Sequence, residues 1–147
     1  MQKGKMLSAM IILAVQGHDG QFDKGGNPYI LHTMKVMHQL RTGDEELQCI
    51  AVGHDLIEDT KTTYQDLRDA GMSERVIEGI KALTKVPGET YEEYKNKVKA
   101  NSDAILVKMQ DLRHNSDIRR LKGVTEKDVA RITKYHQFYL ELQEFIK

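Results

Sequence analysis

At 147 residues the chain suits one domain, residues 1–147, and its 39% hydrophobic content suffices for one core. Lys plus Arg equals Asp plus Glu at 22 each, a balance that argues against nonspecific binding to nucleic acid or to an acidic membrane. The one cysteine, Cys49 in an apolar setting, excludes a disulfide framework and points to a reducing compartment, hence the cytoplasm.

Periodicity is helical along nearly the whole chain. Met6, Met10, Ile11, Ala14 and Val15 recur at three- and four-residue spacing in "MLSAMIILAVQG", a run too short to span a bilayer. Gly17 and Gly20 end that helix, and "GQFDKGGNPY" reads as a loop, because its Asn-Pro step disfavours helix before Pro28. A second helix carries Ile30, Leu31, Met34, Met37 and Leu40 and stops before Gly43. Asp44 is positioned to cap a third, which runs through Leu47, Ile50 and Ala51 into "GHDLIEDT". Thr63 caps a short helix ending at Gly71, and Ser73 one with Val76, Ile77, Ile80 and Leu83. After a Pro87-Gly88 turn, Thr90 and Glu93 form a capping box. Ser102 or Asp103 starts "AILVKMQDLRHN", whose "AILVKM" is the single run ambiguous between helix and strand. Thr125 with Asp128 opens a last helix through Phe138, Leu142 and Phe145. The pattern predicts an all-α fold, a single compact helical bundle.

The unusual feature is the density of acidic and imidazole groups that follows Ile50, Ala51 and Val52. On a continuous helix, His54 with Glu58 and Asp55 with Asp59 are four apart and stack into one acidic wall. A divalent cation against that wall offsets the repulsion among its carboxylates. Taken alone, however, "HD" reads better as a solvated helix end. His32 in "NPYILHTMKV", taken alone, fits a hydrogen-bonded core histidine better than a ligand. Asp111 follows the apolar run "ILVKM" and needs a cation or several donors, with Lys108 one turn earlier as an alternative partner. Together His32, His54, Asp55 and Asp111 make a mixed N/O donor set suited to Mn²⁺, Fe²⁺ or Zn²⁺, although sequence separation leaves their convergence open.

The order "H…HD…D" resembles the HD superfamily of metal-dependent phosphohydrolases. More narrowly, "GHDGQFDKGGNPYILH", "GHDLIEDTKTTYQDL", "IKALTK" and "ILVKMQDLRHNSDIRRL" are similar to the hydrolase domain of RelA/SpoT homologues, in its stand-alone small alarmone hydrolase form. These segments lie within residues 17–121. The resemblance implies an all-helical HD domain that binds one Mn²⁺ and removes the 3′-pyrophosphate from guanosine tetra- or pentaphosphate, (p)ppGpp. It implies His32, His54, Asp55 and Asp111 as metal ligands. Glu58 and Asp59 match the acidic pair that orients and deprotonates the attacking water. Asn115 and Lys24 match substrate-binding positions, and Tyr29, Lys134 and Tyr135 are further candidates for lining the pocket.

One departure bears on substrate. The family's Arg-Lys pair reads Asp23-Lys24 here, and an aspartate supplies neither guanidinium stacking nor positive charge and repels a nearby phosphate. Thr33 replaces a proline common after the first histidine, a minor variation of the helix start. The expected partner is a small-molecule nucleotide, with no nucleic acid, no membrane and no room for an attached synthetase domain; the oligomeric state is not fixed by the sequence. Two alternatives stand beside alarmone hydrolysis: a phosphohydrolase for another nucleotide such as NADPH, and a non-catalytic alarmone-binding module.

Overall fold

The computed structural model of the protein describes residues 2–147. Its α-helices are α1 (Lys5–Gly17), α2 (Ile30–Gln39), α3 (Glu45–Gly53), α4 (Leu56–Asp59), α5 (Tyr64–Asp69), α6 (Glu74–Leu83), α7 (Tyr91–Lys99), α8 (Ser102–Asn115) and α9 (Glu126–Gln143). A 3₁₀ turn, η1 (Ile118–Arg120), lies between α8 and α9. Among the described residues the one extended pairing is an isolated antiparallel bridge between Phe22 and Pro28. No helix among them is long and apolar enough to cross a membrane.

Side-chain caps start most of these helices. Asp44 accepts from the Leu47 N–H at 3.2 Å and Ser73 from Val76, while Thr63, Thr90 and Thr125 each complete a capping box with the residue three positions on. The start of α8 differs from expectation. Asn101, rather than Ser102 or Asp103, is the cap, and its side chain accepts from Ala104 at 2.9 Å. The run "AILVKM" is helical because α8 is packed against α2, α3, α6, α7 and α9, so burial on several sides accounts for its unbroken apolar character. At the far end Phe145 falls beyond α9 and is exposed, leaving Phe138 and Leu142 to close the core. Val15 of α1 also faces out, with Met10 and Ala14 inward.

Helix α3 is the centre of the assembly. Leu47, Cys49, Ile50, Ala51, Val52 and Gly53 are all buried, beneath α1, α2, α6 and α8. Close approach of α6 depends on Gly79, where an added Cβ would stand 2.5 Å from Ile50 Cδ1 and 2.9 Å from its Cγ1. Cδ1 can swing away about χ2, but Cγ1 is held by the stiff χ1 of isoleucine, so full relief takes a change of χ1 or a shift of one helix. The acidic stretch is not one continuous helix as the spacing suggests. α3 stops at Gly53, His54 and Asp55 form a turn, and α4 restarts at Leu56. His54 Nδ1 donates to the Ala51 carbonyl at 2.6 Å, covering an acceptor that a helix end leaves without an intrahelical partner.

Because α3 delivers His54, its seat against α6 is a stability test. Gly79→Ala is expected to lower unfolding free energy by about 1–2 kcal/mol, overpacking of about 1–3 kcal/mol being offset by up to ~1 kcal/mol of helix propensity. Chemical denaturation measures this, and an unchanged midpoint would contradict the close α3–α6 contact.

Candidate metal centre and adjoining pocket

Three segments bring His32, His54, Asp55 and Asp111 together. His32 lies in the first turn of α2, His54 and Asp55 in the turn between α3 and α4, and Asp111 in the last part of α8. Each offers one atom such that all four lie within 4.8 Å of one another. Asp111 Oδ1 is 2.9 Å from His32 Nε2 and 3.2 Å from His54 Nε2, and Asp55 Oδ2 is 3.1 Å from His54 Nε2. The outward nitrogen of each imidazole is already engaged, His54 Nδ1 with Ala51 and His32 Nδ1 with His114 Nδ1 at 2.7 Å. Two imidazole nitrogens and two carboxylate oxygens facing one point fit a divalent transition metal.

The electrostatics of the cluster favour a cation. Burial works against the charged form of Asp55, yet the His54 imidazole brings its pKa down to about 2. Burial likewise opposes Asp111, but Lys108 and hydrogen bonds from the two imidazoles hold it well below the ordinary carboxylate range. Conversely, burial disfavours a charged His54, while Asp55 and Asp111 raise it well above its usual value. Asp111 divides its oxygens. Oδ2 takes Lys108 Nζ at 2.9 Å, the alternative partner considered above, whereas Oδ1 faces the histidines and Asn115 Nδ2. Tyr29 Oη donates to Asp55 Oδ2 at 2.5 Å, and burial followed by the Asp55 charge keeps that phenol protonated far above its ordinary range.

Glu58 and Asp59 adjoin Asp55, each with an oxygen within 4.8 Å of the others. Both residues stand at the solvent edge, but protein crowding around the carboxyl groups, reinforced by the Asp55 charge, raises both pKa values. Glu58 Oε1 accepts the Lys85 N–H at 2.6 Å, whereas the Asp59 carboxylate has no hydrogen-bond partner among the described residues.

Beside Tyr29 opens a cavity of about 270 Å³, lined by Lys24, Tyr29, Asn115, Arg120, Arg131 and Tyr135 among others. Lys24, Tyr29, Asn115 and Tyr135 therefore share one pocket. Lys134 does not line it; its Nζ stands 3.9 Å over the Tyr91 ring. The same cavity explains Asp23. Its Oδ1 accepts from Gly25 and Asn27 N–H groups, closing the loop on itself, and its Oδ2 pairs with Arg120 at 3.1 Å. Partial burial opposes the charged form, but these bonds keep the carboxyl below its ordinary value. Asp23 is thus a neutralised carboxylate, and the repulsion of phosphate expected of it is offset by Arg120. Gly25 permits the arrangement, since a Cβ there would fall 2.1 Å from the Arg120 carbonyl oxygen.

No family model matches the chain. A guanosine-3′,5′-bis(diphosphate) 3′-pyrophosphohydrolase of Aquifex aeolicus (strain VF5) is 32% identical over 108 residues, 67% of this chain and 15% of the relative. The bifunctional (p)ppGpp synthase/hydrolase SpoT of Escherichia coli (strain K12) is 31% identical over 130 residues, 76% of this chain and 18% of the relative. A solved structure described as a metazoan SpoT orthologue that hydrolyses ppGpp matches with a TM-score of 0.77 at 20% identity, covering 97% of this chain and 87% of that one. The chain belongs to the RelA/SpoT-homologue HD hydrolase family. It spans less than a fifth of the length of the two curated relatives, and the structural likeness establishes the shared helical fold.

Within this RelA/SpoT-type domain, sequence reasoning passed over Arg120, Arg131 and His114. His114 had a signal, being three residues past Asp111 and so on the same helical face. Arg120 had none, because it reaches Asp23 across 97 residues. The cluster predicts a pH signature in the metal-free protein. A depressed Asp55 contributes stability that is complete above its ordinary value of 3.8 and is lost as pH falls towards about 2. The raised His54 acts oppositely, its contribution present below 6.5 and lost as pH rises through its folded value. The stability gap between wild type and Asp55→Asn should therefore shrink as pH falls through that acid window. Urea melts across the window measure it, and a gap independent of pH would contradict the assignment.

Proposed function

We propose that this chain is a metal-dependent 3′-pyrophosphohydrolase of (p)ppGpp, acting in the cytoplasm on a small-molecule nucleotide, with Mn²⁺ as its ion. The observation that carries the reading is a four-residue N/O donor cluster beside a polar pocket that holds Lys24, Arg120 and Arg131 along with Asp23 and Asp117, within a chain about 31% identical to relatives named for this reaction. His32, His54, Asp55 and Asp111 would hold the ion. When bound, it supplies Lewis acidity, acidifying water and polarising a phosphoryl oxygen.

The remaining chemistry falls to the chain. Glu58, fixed through Oε1 by the Lys85 N–H, orients the attacking water. Asp59, with a carboxylate free of protein partners among the described residues, accepts its proton. Raised pKa values at both acids bring them nearer to neutral pH, which suits a base. The water oxygen bonds to the phosphorus borne by the 3′-oxygen, the P–O3′ bond breaks, and the 3′-oxygen leaves and is protonated. Pyrophosphate and the 5′-diphosphate are the products. Lys24 offsets part of the substrate's negative charge, Arg120 and Arg131 add donors while paired with Asp23 and Asp128, and Tyr29, Tyr135 and Asn115 complete the wall.

A second reading, hydrolysis of another phosphorylated nucleotide such as NADPH, is favoured by Asp23, which replaces the arginine of the family pattern. Purified protein with Mn²⁺ and ppGpp should yield GDP and pyrophosphate. Turnover of NADPH but not ppGpp would favour the second reading, and turnover of neither would remove both. The double variant Glu58→Gln/Asp59→Asn should keep Mn²⁺ yet lose turnover by at least ~100-fold, the usual worth of general-base assistance. Undiminished turnover would defeat the role given to the acidic pair.

A further inference from the structure

His114 has no part in the site as read from the sequence, yet it makes one of the shortest side-chain contacts around the cluster. Its Nδ1 lies 2.7 Å from His32 Nδ1. The two ring planes differ by 12°, and their centroids are 5.0 Å apart. That separation equals the N···N distance plus one ring radius at each end, so the imidazoles meet edge to edge in nearly one plane. The contact is therefore directed along the ring lone pairs, as a hydrogen bond requires, and is not a stack of faces.

Two nitrogens at this distance need one proton between them, and each ring could in principle supply it. The opposite side of His32 decides the direction. Its Nε2 points at Asp111 Oδ1, into the four-atom cluster. A histidine that binds a metal through Nε2 carries its proton on Nδ1, so His32 is the donor and His114 the acceptor. His114 is held for this task by its place on α8, one turn past Asp111, and by its carbonyl, which accepts Arg120 Nη1 at 3.0 Å.

We propose that His114 is a positioning residue for the metal site: its unprotonated Nδ1 fixes the Nδ1–H tautomer and the ring orientation of His32, and so sets Mn²⁺ affinity. The proposal rests on the metal-site reading above. Asparagine can place an acceptor oxygen where Nδ1 stands, whereas phenylalanine keeps a ring and removes the acceptor. Calorimetric titration with Mn²⁺ should accordingly show His114→Phe weakening binding by about 10–100-fold, with His114→Asn within about threefold of wild type. Thermal melting of the metal-free proteins should give closely similar midpoints, which separates a positioning effect from lost packing. Wild-type affinity in His114→Phe, or equal losses in both variants, would overturn the proposal.

A second measurement needs no variant. Long-range ¹⁵N–¹H spectra of the protein loaded with Zn²⁺, a diamagnetic ion suited to the same donor set, should show His114 Nδ1 without a proton and His32 Nδ1 with one. A proton on His114 Nδ1 would overturn the proposal outright. Wild-type protein that binds neither Mn²⁺ nor Zn²⁺ would instead sink the metal-site reading and, with it, any effect of His114 on affinity.

Discussion

Two carboxylates, Asp55 and Asp111, share one largely enclosed point, each about 3 Å from the same His54 nitrogen. Two like charges at such a place require positive charge nearby, or one of them takes up a proton. The surroundings answer that requirement on every side. Lys108 takes one oxygen of Asp111, His32 and His54 face the other, and Tyr29 donates to Asp55. At the centre His32, His54, Asp55 and Asp111 each bring one atom within 4.8 Å of the others, a grouping that could hold a single cation.

Delivery of these groups depends on helix packing more than on local motif. α3 is buried along its last residues and carries His54 to the centre of the domain. His54 and Asp55 keep right-handed helical backbone angles through the turn, so their side chains leave the chain in different directions and meet through their tips. In the observed turn the His54 ring folds back onto the Ala51 carbonyl and presents Nε2 to both carboxylates. α8 then brings Asp111 from the opposite side, with His114 and Asn115 on its last turn reaching His32 and Asp111.

The helical class and most helix starts were legible in the sequence, because capping residues at positions such as Asp44, Ser73, Thr90 and Thr125 act through neighbours three residues away. So were the four cluster residues, once spacing was joined to a resemblance in motif. The break after Gly53 was not legible, since Leu56 to Asp59 continue a helical pattern without interruption. Asn101 was overlooked as a cap because Ser102 and Asp103 carry equally good capping chemistry. The Asp23–Arg120 pair joins a loop to a 3₁₀ turn far along the chain, and no local pattern encodes it. It nonetheless changes the reading of Asp23 from a repulsive charge to a paired one. Lys134 lies beside Tyr135 in sequence, but on the helix it diverges towards Tyr91.

The central claim is that His32, His54, Asp55 and Asp111 share one cation. A crystal structure of the Mn²⁺-treated protein, with anomalous diffraction at the manganese edge, tests it most directly. The account predicts a single strong anomalous peak within bonding distance of His32 Nε2, His54 Nε2 and oxygens of Asp55 and Asp111. A peak bound instead by Glu58 and Asp59 alone, or no peak at this cluster, would contradict it.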